Sequence, residues 1–241
     1  MSQQGEQVGM IETSAGWSDL AARHPDIAVE RLVVTSLAAN CYLLTCQTTG
    51  ELIVVDAGDD GPRILDRIDQ VAGGAREQVR LIINTHGHFD HVAAVADVRA
   101  ALGAVPVLMH PDDIELVEGN GPDVLRMLRR EYVPVLPDGL LLEGDEVRWG
   151  ACALRVIATP GHSPGGICLY GHGLLISGDT LFRRGVGAWR FFRGSKEALF
   201  DSLRRKILIL PPETVVYPGH GEPTTIGEEV AENPYVKRAE G

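Results

Sequence analysis

Three histidines and a carboxylate fall within the short stretch His86-Gly87-His88-Phe89-Asp90-His91. Imidazole suits zinc and iron, and a carboxylate adds the negative charge that helps hold a second divalent ion. Several imidazoles crowded into one turn are hard to satisfy as core residues, so the spacing points to metal coordination rather than packing. Two ligand pairs on a single turn further suggest two adjacent ions. The chemistry of such a pair is activation of water for attack on a carbonyl group.

More candidate ligands stand in similar contexts further along. His162 sits in Thr159-Pro160-Gly161-His162-Ser163-Pro164-Gly165, Asp179 in Ser177-Gly178-Asp179-Thr180, and His220 in Tyr217-Pro218-Gly219-His220-Gly221. Each follows an apolar, β-prone run, and flanking glycines let the backbone bend tightly enough to bring the side chains to one point. Isolated histidines are more often structural, and His24, His110 and His172 are read that way. Asp56, at the end of the apolar run 52–55, has two open readings: a turn-forming carboxylate, or an acceptor that orients the ligand turn.

Positioning these residues requires strands that end near one another. Residues 29–35, 41–46 and 52–56 are short β-rich runs. Pro62 opens a helix with Ile64, Leu65, Ile68 and Val71 on one face, and Gly73-Gly74 stops it. Residues 81–84 form a buried strand into the histidine turn, 92–102 a helix and 105–110 another strand. Residues 112–128 read as helical with an interruption at Gly119-Asn120-Gly121-Pro122, as a lid or insertion spanning about 111–138. A second β-rich half covers 146–157, 166–170 and 174–177. A helix at 198–209 carries Leu199, Leu203, Ile207 and Leu210 on one face. A strand at 215–217 and a helix at 225–232 close the chain. Two blocks of strands, each followed by helices, predict an α/β fold with two packed sheets and helices outside. We expect one domain over residues 29–241, after a partly flexible N-terminal extension over 1–28. Within that extension Ser18 caps a short helix that runs to His24.

The 241-residue chain carries 33 acidic and 22 basic residues, a net charge of -11. Duplex affinity comes mostly from Lys and Arg, so a nucleic-acid partner is not expected. Cys41, Cys46, Cys152 and Cys168 form no C-x-x-C pair, and reduced thiols in the cytoplasm are the expectation. The polar first ten residues lack the features of a signal peptide, and no apolar run reaches the roughly 18 residues of a membrane span. The oligomeric state is left open.

The H-x-H-x-D-H turn and the Pro-Gly-His, Gly-Asp-Thr and Pro-Gly-His segments, in that order, resemble the metallo-β-lactamase superfamily over residues 29–220. Asn40-Cys41-Tyr42, Val55-Asp56-Ala57-Gly58, Gly178-Asp179-Thr180-Leu181-Phe182 and Asn233-Pro234-Tyr235 are similar to its glyoxalase II-type hydrolases. The resemblance implies a four-layer αββα sandwich and two divalent ions, zinc foremost, with iron or manganese as alternatives. It assigns His86, His88 and His162 to the first ion and Asp90, His91 and His220 to the second, with Asp179 bridging. It also implies that a metal-bridging hydroxide attacks the carbonyl of a glutathione-type thioester, with Asp90 orienting the water or shuttling its proton. Rival readings are a mononuclear-iron persulfide dioxygenase, a lactonase, β-lactamase or esterase of the same superfamily, and a non-catalytic binding module on the same scaffold.

The match departs in one loop. Relatives of the type carry Gly-Arg-Ser/Thr-Asp where this chain has Gly187-Ala188-Trp189-Arg190. Arg183, Arg184, Arg190 and Arg193 are therefore candidates to hold a carboxylate or phosphate on the substrate, against a reading as solvated surface charges. Few residues follow His220, so a counterpart of the C-terminal helical domain of the fuller glyoxalase II enzymes is not expected. The segment 112–128 is the expected replacement grip on a thiol carrier.

Overall fold

The computed structural model describes residues 24–190 and 193–239. The expected helix from Ser18 and most of the N-terminal extension lie outside them.

One six-stranded sheet runs in chain order through β1 (Ile27–Val34), β2 (Ala39–Cys46), β3 (Leu52–Val55), β4 (Val79–Ile83), β5 (Val107–Met109) and β6 (Gly139–Leu140). Its first two pairings are antiparallel and the rest parallel. Parallel neighbours need crossovers. Helix α1 (Gly61–Val71) joins β3 to β4, and α2 (Phe89–Val92) and α3 (Val95–Ala101) lie between β4 and β5. The helical segment that follows β5 contains α4 (Ile114–Gly119) and α5 (Gly121–Leu128).

The second six-stranded sheet is built from β7 (Glu146–Trp149), β8 (Cys152–Ala158), β9 (Ile167–Gly171), β10 (Leu174–Gly178), β13 (Val215–Pro218) and β14 (Thr224–Thr225), in the order β14-β13-β10-β9-β8-β7. Its β10–β13 pair is parallel, and α6 (Lys196–Ser202), continued by a π-helical turn over Leu203–Ile207, makes that crossover. A small hairpin of β11 (Leu181–Phe182) and β12 (Gly185–Val186) precedes it, and α7 (Ile226–Glu232) and α8 (Pro234–Ala239) follow the last strand.

Period-two alternation sorts the strand residues between layers. Tyr42, Leu44, Ile53, Val55 and Ile83 meet Val147, Trp149, Leu154, Val156, Leu169, Ile176 and Tyr217 in the core between the sheets. Their alternates Cys41, Leu43, Leu52, Val54 and Ile82 face Ile64, Ile68, Val95 and Val98 of the helices. On the far side, Cys168, Leu175 and Val216 pack on Leu199, Leu203 and Ile207. Strands covered on both faces have no polar alternation, which is why these runs are continuously apolar. The result is the αββα sandwich that the sequence predicts. Among the described residues, no helix is long and apolar enough to cross a membrane.

Two local differences have physical causes. The expected helix over 92–102 is broken after α2, because the Ala94 N–H donates to the Ala57 carbonyl (3.0 Å) instead of continuing α2. That bond docks the ligand-bearing turn on the loop after β3. The second difference is α8, which follows Asn233. The buried Asn233 Nδ2 donates to the Gly185 carbonyl (3.0 Å) and Oδ1 accepts from Tyr235 N (2.9 Å), so this residue both starts the helix and ties it to the hairpin.

Candidate metal centre

The candidate ligands leave the carboxyl ends of four strands. His86 follows β4 by a short linker, with Asp90 and His91 on α2 just beyond; His162 lies between β8 and β9; Asp179 directly follows β10; His220 follows β13. The sheets are joined at this edge by Ile167 N donating to the Thr85 carbonyl (2.9 Å). Gly178 has φ +47°, and a Cβ there would stand 2.6 Å from Thr85 Oγ1, so a glycine is needed for β10 to deliver Asp179 beside the histidine turn.

The side chains converge in two groups. His86, His88 and His162 offer ligand atoms within 4.8 Å of one another, and so do Asp90, His91 and His220. Donors at metal-bonding distance from one tetrahedral ion are about 3.3 Å apart. In the second group His91 Nε2 and His220 Nε2 are 3.3 Å apart, and His220 Nε2 and Asp90 Oδ2 3.4 Å. In the first, His88 Nδ1 and His162 Nε2 are 2.7 Å apart. Asp179 faces both: its Oδ2 is 3.3 Å from His162 Nε2 and 3.5 Å from His220 Nε2, and its Oδ1 is 3.4 Å from His91 Nε2. The buried His86 Nε2 and Asp179 Oδ1 have no hydrogen-bond partner among the described residues. Buried acceptors left unpaired are costly, and cations between the two groups would satisfy both. The donor set and spacing fit a pair of divalent ions.

Three of the imidazoles are fixed through their other nitrogen. Asp56 Oδ2 bonds His91 Nδ1 at 3.0 Å while the same carboxylate accepts from Thr85 N and Thr85 Oγ1, both at 2.7 Å. Asp56 also lies within 4.8 Å of ligand atoms on His86 and His91, but its bonds place it behind the cluster, where it orients His91. His162 Nδ1 donates to the Ala188 carbonyl (2.7 Å), and His220 Nδ1 to the Leu37 carbonyl (3.2 Å). Asn40 and Tyr42 support the last loop: Asn40 Nδ2 donates to the carbonyls of Pro218 (2.8 Å) and Gly221 (2.9 Å), and the Tyr42 hydroxyl to that of Pro218 (2.7 Å). The altered stretch Gly187-Ala188-Trp189-Arg190 thus contributes to the centre through a backbone oxygen, which alanine supplies as well as arginine.

Charge divides the two groups. Burial pulls the His86 imidazole well below its ordinary range, helped by the neighbouring His91, His88 and His162 rings. Burial, with His162 beside it, pushes His88 down to about 3. Both are neutral bases near pH 7, the form that binds a metal. His91 behaves oppositely: burial lowers it, but the Asp179, Asp90 and Asp56 carboxylates outweigh burial and lift it to about 10. Burial disfavours ionised Asp90, but His91 and His220 overcome this and hold the carboxyl well below its usual range. Four elements therefore enclose acids and bases that balance only as a group.

The arginines are placed less centrally. Arg183 and Arg190 are exposed. Arg184 bonds Glu229 of α7 (2.9 Å), a buried carboxylate that also accepts from Thr224 and Asn233. Arg193 is exposed and paired with Glu115 of α4. Three contributors were not foreseen from sequence. The carbonyls of Leu37 and Ala188 leave no side-chain signal, and the buried Asp113 sits in Pro111-Asp112-Asp113, which reads as an ordinary turn. His24 and His172 take structural partners: His24 Nε2 meets the Tyr217 hydroxyl at 2.6 Å, and His172 Nδ1 meets Asp26 at 2.9 Å.

Close packing at Gly219 yields a first prediction. A Cβ there would lie 2.1 Å from Asp179 Oδ1 and 2.9 Å from His91 Cε1. Gly219→Ala is expected to cost about 1–3 kcal/mol in thermal or urea unfolding and to lower metal content as Asp179 is displaced. Full metal content in the variant would contradict the packing argument.

Comparison with known proteins agrees with this geometry. Residues 34–220 match the family model described as the metallo-beta-lactamase superfamily. The hydroxyacylglutathione hydrolase GloC of Haemophilus influenzae is 30% identical over 211 residues, covering 86% of this chain and 97% of that protein. The crystal structure of the B3 metallo-beta-lactamase BLEG-1 superposes with a TM-score of 0.77 at 31% identity, covering 87% of this chain and 99% of that one. The protein TTHA1623, solved in a di-iron-bound form, superposes with a TM-score of 0.74 at 38% identity, covering 86% of this chain and 100% of that one. With the layer order, the ligand-bearing loops and the sequence match in agreement, the chain belongs to the metallo-β-lactamase superfamily.

Proposed function

We propose that this protein is a dinuclear-metal hydrolase acting on a thioester of the hydroxyacylglutathione type. The observation that carries the reading is Asp179, whose carboxylate lies 3.3 Å from His162 Nε2 on one side and 3.4 Å from His91 Nε2 on the other. His86, His88 and His162 would hold one ion and Asp90, His91 and His220 the other, with the Asp179 carboxylate within reach of both groups. Bound there, two divalent cations supply Lewis-acid polarisation of a carbonyl and a water acidified towards neutral pH. Zinc fits the nitrogen and oxygen donors, and so does iron, which the di-iron form of TTHA1623 favours.

The chain's own residues do the rest. Asp90, a carboxylate ionised at neutral pH, orients the attacking water or passes its proton towards the leaving thiolate. Asp56, Ala188 and Leu37 keep three imidazoles in fixed orientation and tautomer. Ser163 stands next to a ligand and invites a nucleophilic role, but it is buried and its hydroxyl is donated to Asp113 (2.7 Å). That leaves water as the nucleophile. Arg183, Arg190 and Arg193 are the proposed contacts for the carboxylates of a glutathione carrier, and Arg193 must leave Glu115 to make one. The free cysteines Cys41, Cys46, Cys152 and Cys168 suit a reducing compartment such as the cytoplasm.

A panel assay tests the substrate class. Metal-loaded protein is expected to cleave S-lactoylglutathione with a higher kcat/KM than a β-lactam or a lactone, and to consume no oxygen with glutathione persulfide. Oxygen uptake on the persulfide without thioester cleavage would replace this reading with the mononuclear-iron dioxygenase. Preferential lactam or lactone hydrolysis would keep the metal pair and change the substrate.

A further inference from the structure

The carboxylate of Asp113 lies between the two loops that carry His86, His88 and His162, and it is fully buried. Its Oδ2 accepts from Gly87 N (2.9 Å) and from Ser163 Oγ (2.7 Å), and its Oδ1 accepts from Gly165 N (2.6 Å). Gly87 separates His86 from His88, and Ser163 follows His162. One side chain therefore joins the histidine turn to the Pro-Gly-His loop. The Gly87 carbonyl is held from the same direction, by Asn120 Nδ2 at 2.8 Å. A Cβ on Gly87 would lie 2.6 Å from the Asp113 carbonyl oxygen, and one on Gly165 would lie 2.8 Å from Asp113 N. Both loops are thus in contact with Asp113, leaving no slack between them.

The other group of ligands has different supports. Asp56 orients His91, and Asn40, Tyr42 and Leu37 hold the His220 loop. Asp113 bonds only the loops of the first group, whereas Asp56 touches both groups, since the Thr85 hydroxyl it accepts from lies 3.1 Å from His86 Nδ1.

We propose that Asp113, assisted by Asn120, is a positioning residue that sets the affinity of the His86/His88/His162 site for its ion without setting that of the Asp90/His91/His220 site. This rests on the metal-pair reading above. A carboxylate holding three donors away from water makes strong, charge-assisted bonds. Replacing one of its oxygens by an amide nitrogen leaves buried donors among Gly87 N, Gly165 N and the Ser163 hydroxyl without an acceptor, and the loops relax at the cost of imidazole alignment. The segment carrying Asp113 and Asn120 is therefore a buttress of the ligand turn.

The test measures zinc affinity of metal-stripped full-length protein by competition with a chromophoric chelator, with Asp113→Asn placed in two backgrounds. His220→Ala leaves the first site as the intact triad, and His162→Ala leaves the second. Asp113→Asn is expected to weaken zinc about 10–100-fold in the His220→Ala background and by no more than about twofold in the His162→Ala background. Asn120→Ala, which removes the bond to the Gly87 carbonyl, should shift affinity in the same direction by less, and it keeps the test open if Asp113→Asn does not fold. Equal weakening in both backgrounds, or none in either, overturns the proposal. An unaltered protein that binds fewer than two zinc ions overturns the metal-pair reading itself, and that result is visible before any variant is compared.

Discussion

Asp179→Ala is expected to lower kcat/KM for thioester hydrolysis by at least about a thousandfold, roughly 4 kcal/mol of transition-state stabilisation, with the sandwich still folded. Among the ligands, this side chain is within 3.5 Å of nitrogens in both groups. Removing it takes away the bridging negative charge and leaves His91 and His220 facing a cation with Asp90 as the main counterweight. The fold should survive because the local backbone is held without the side chain: Gly219 N donates to the Gly178 carbonyl (2.8 Å) and Thr180 N to that of Ser177 (3.0 Å). The checks are steady-state kinetics, metal content by elemental analysis and a thermal melt. A variant with two ions and near-normal turnover would show that Asp179 bridges nothing.

The reason this site is legible in sequence is that its parts are local. His86, His88, Asp90 and His91 share one turn, and no packing need explains so many imidazoles there. His162, Asp179 and His220 announce themselves through glycine and proline frames after apolar runs, because a chain that must turn sharply at a strand end has few residue choices. The layers are legible for a related reason: a strand such as β3 is buried on both faces, so its whole length is apolar. What escapes is what depends on distant partners. Asp113 differs from its neighbour Asp112 in sequence by nothing, yet one is buried against Gly87, Ser163 and Gly165 and the other is not. Arg184 reads as a substrate contact until α7 brings Glu229 to it. The β6, β11, β12 and β14 strands are two residues each, too short for any periodicity to appear. Backbone carbonyls such as those of Ala188 and Leu37 carry no residue preference at all.

Metal affinity is expected to rise by at least about tenfold per pH unit between roughly pH 6.5 and 9, chiefly because of His91, with His220, lifted against burial by Asp90 and Asp179, adding to the slope near neutral pH. In the metal-free protein the His91 imidazole, lifted to about 10 by Asp179, Asp90 and Asp56 against the effect of burial, carries a proton at neutral pH. An ion that takes Nε2 must displace that proton, so each unit of pH below about 10 costs a factor of ten in apparent affinity. The same shift has the opposite consequence for folding without metal. His91 gains its charge partners only when folded, so its contribution to stability is complete below its ordinary 6.5 and is lost as pH rises towards about 10. His88 runs the other way: depressed to about 3, it withholds a proton that the unfolded chain binds, so stability falls as pH drops below 6.5. The imidazole contribution to the stability of stripped protein therefore peaks near pH 6.5. Bound metal cancels the alkaline loss, because its own contribution grows with pH. Denaturation of stripped and loaded protein across this range, with calorimetric titration in buffers of different ionisation enthalpy, measures both effects and counts the released proton. A metal affinity independent of pH over this range would mean that His91 does not exchange its proton for an ion.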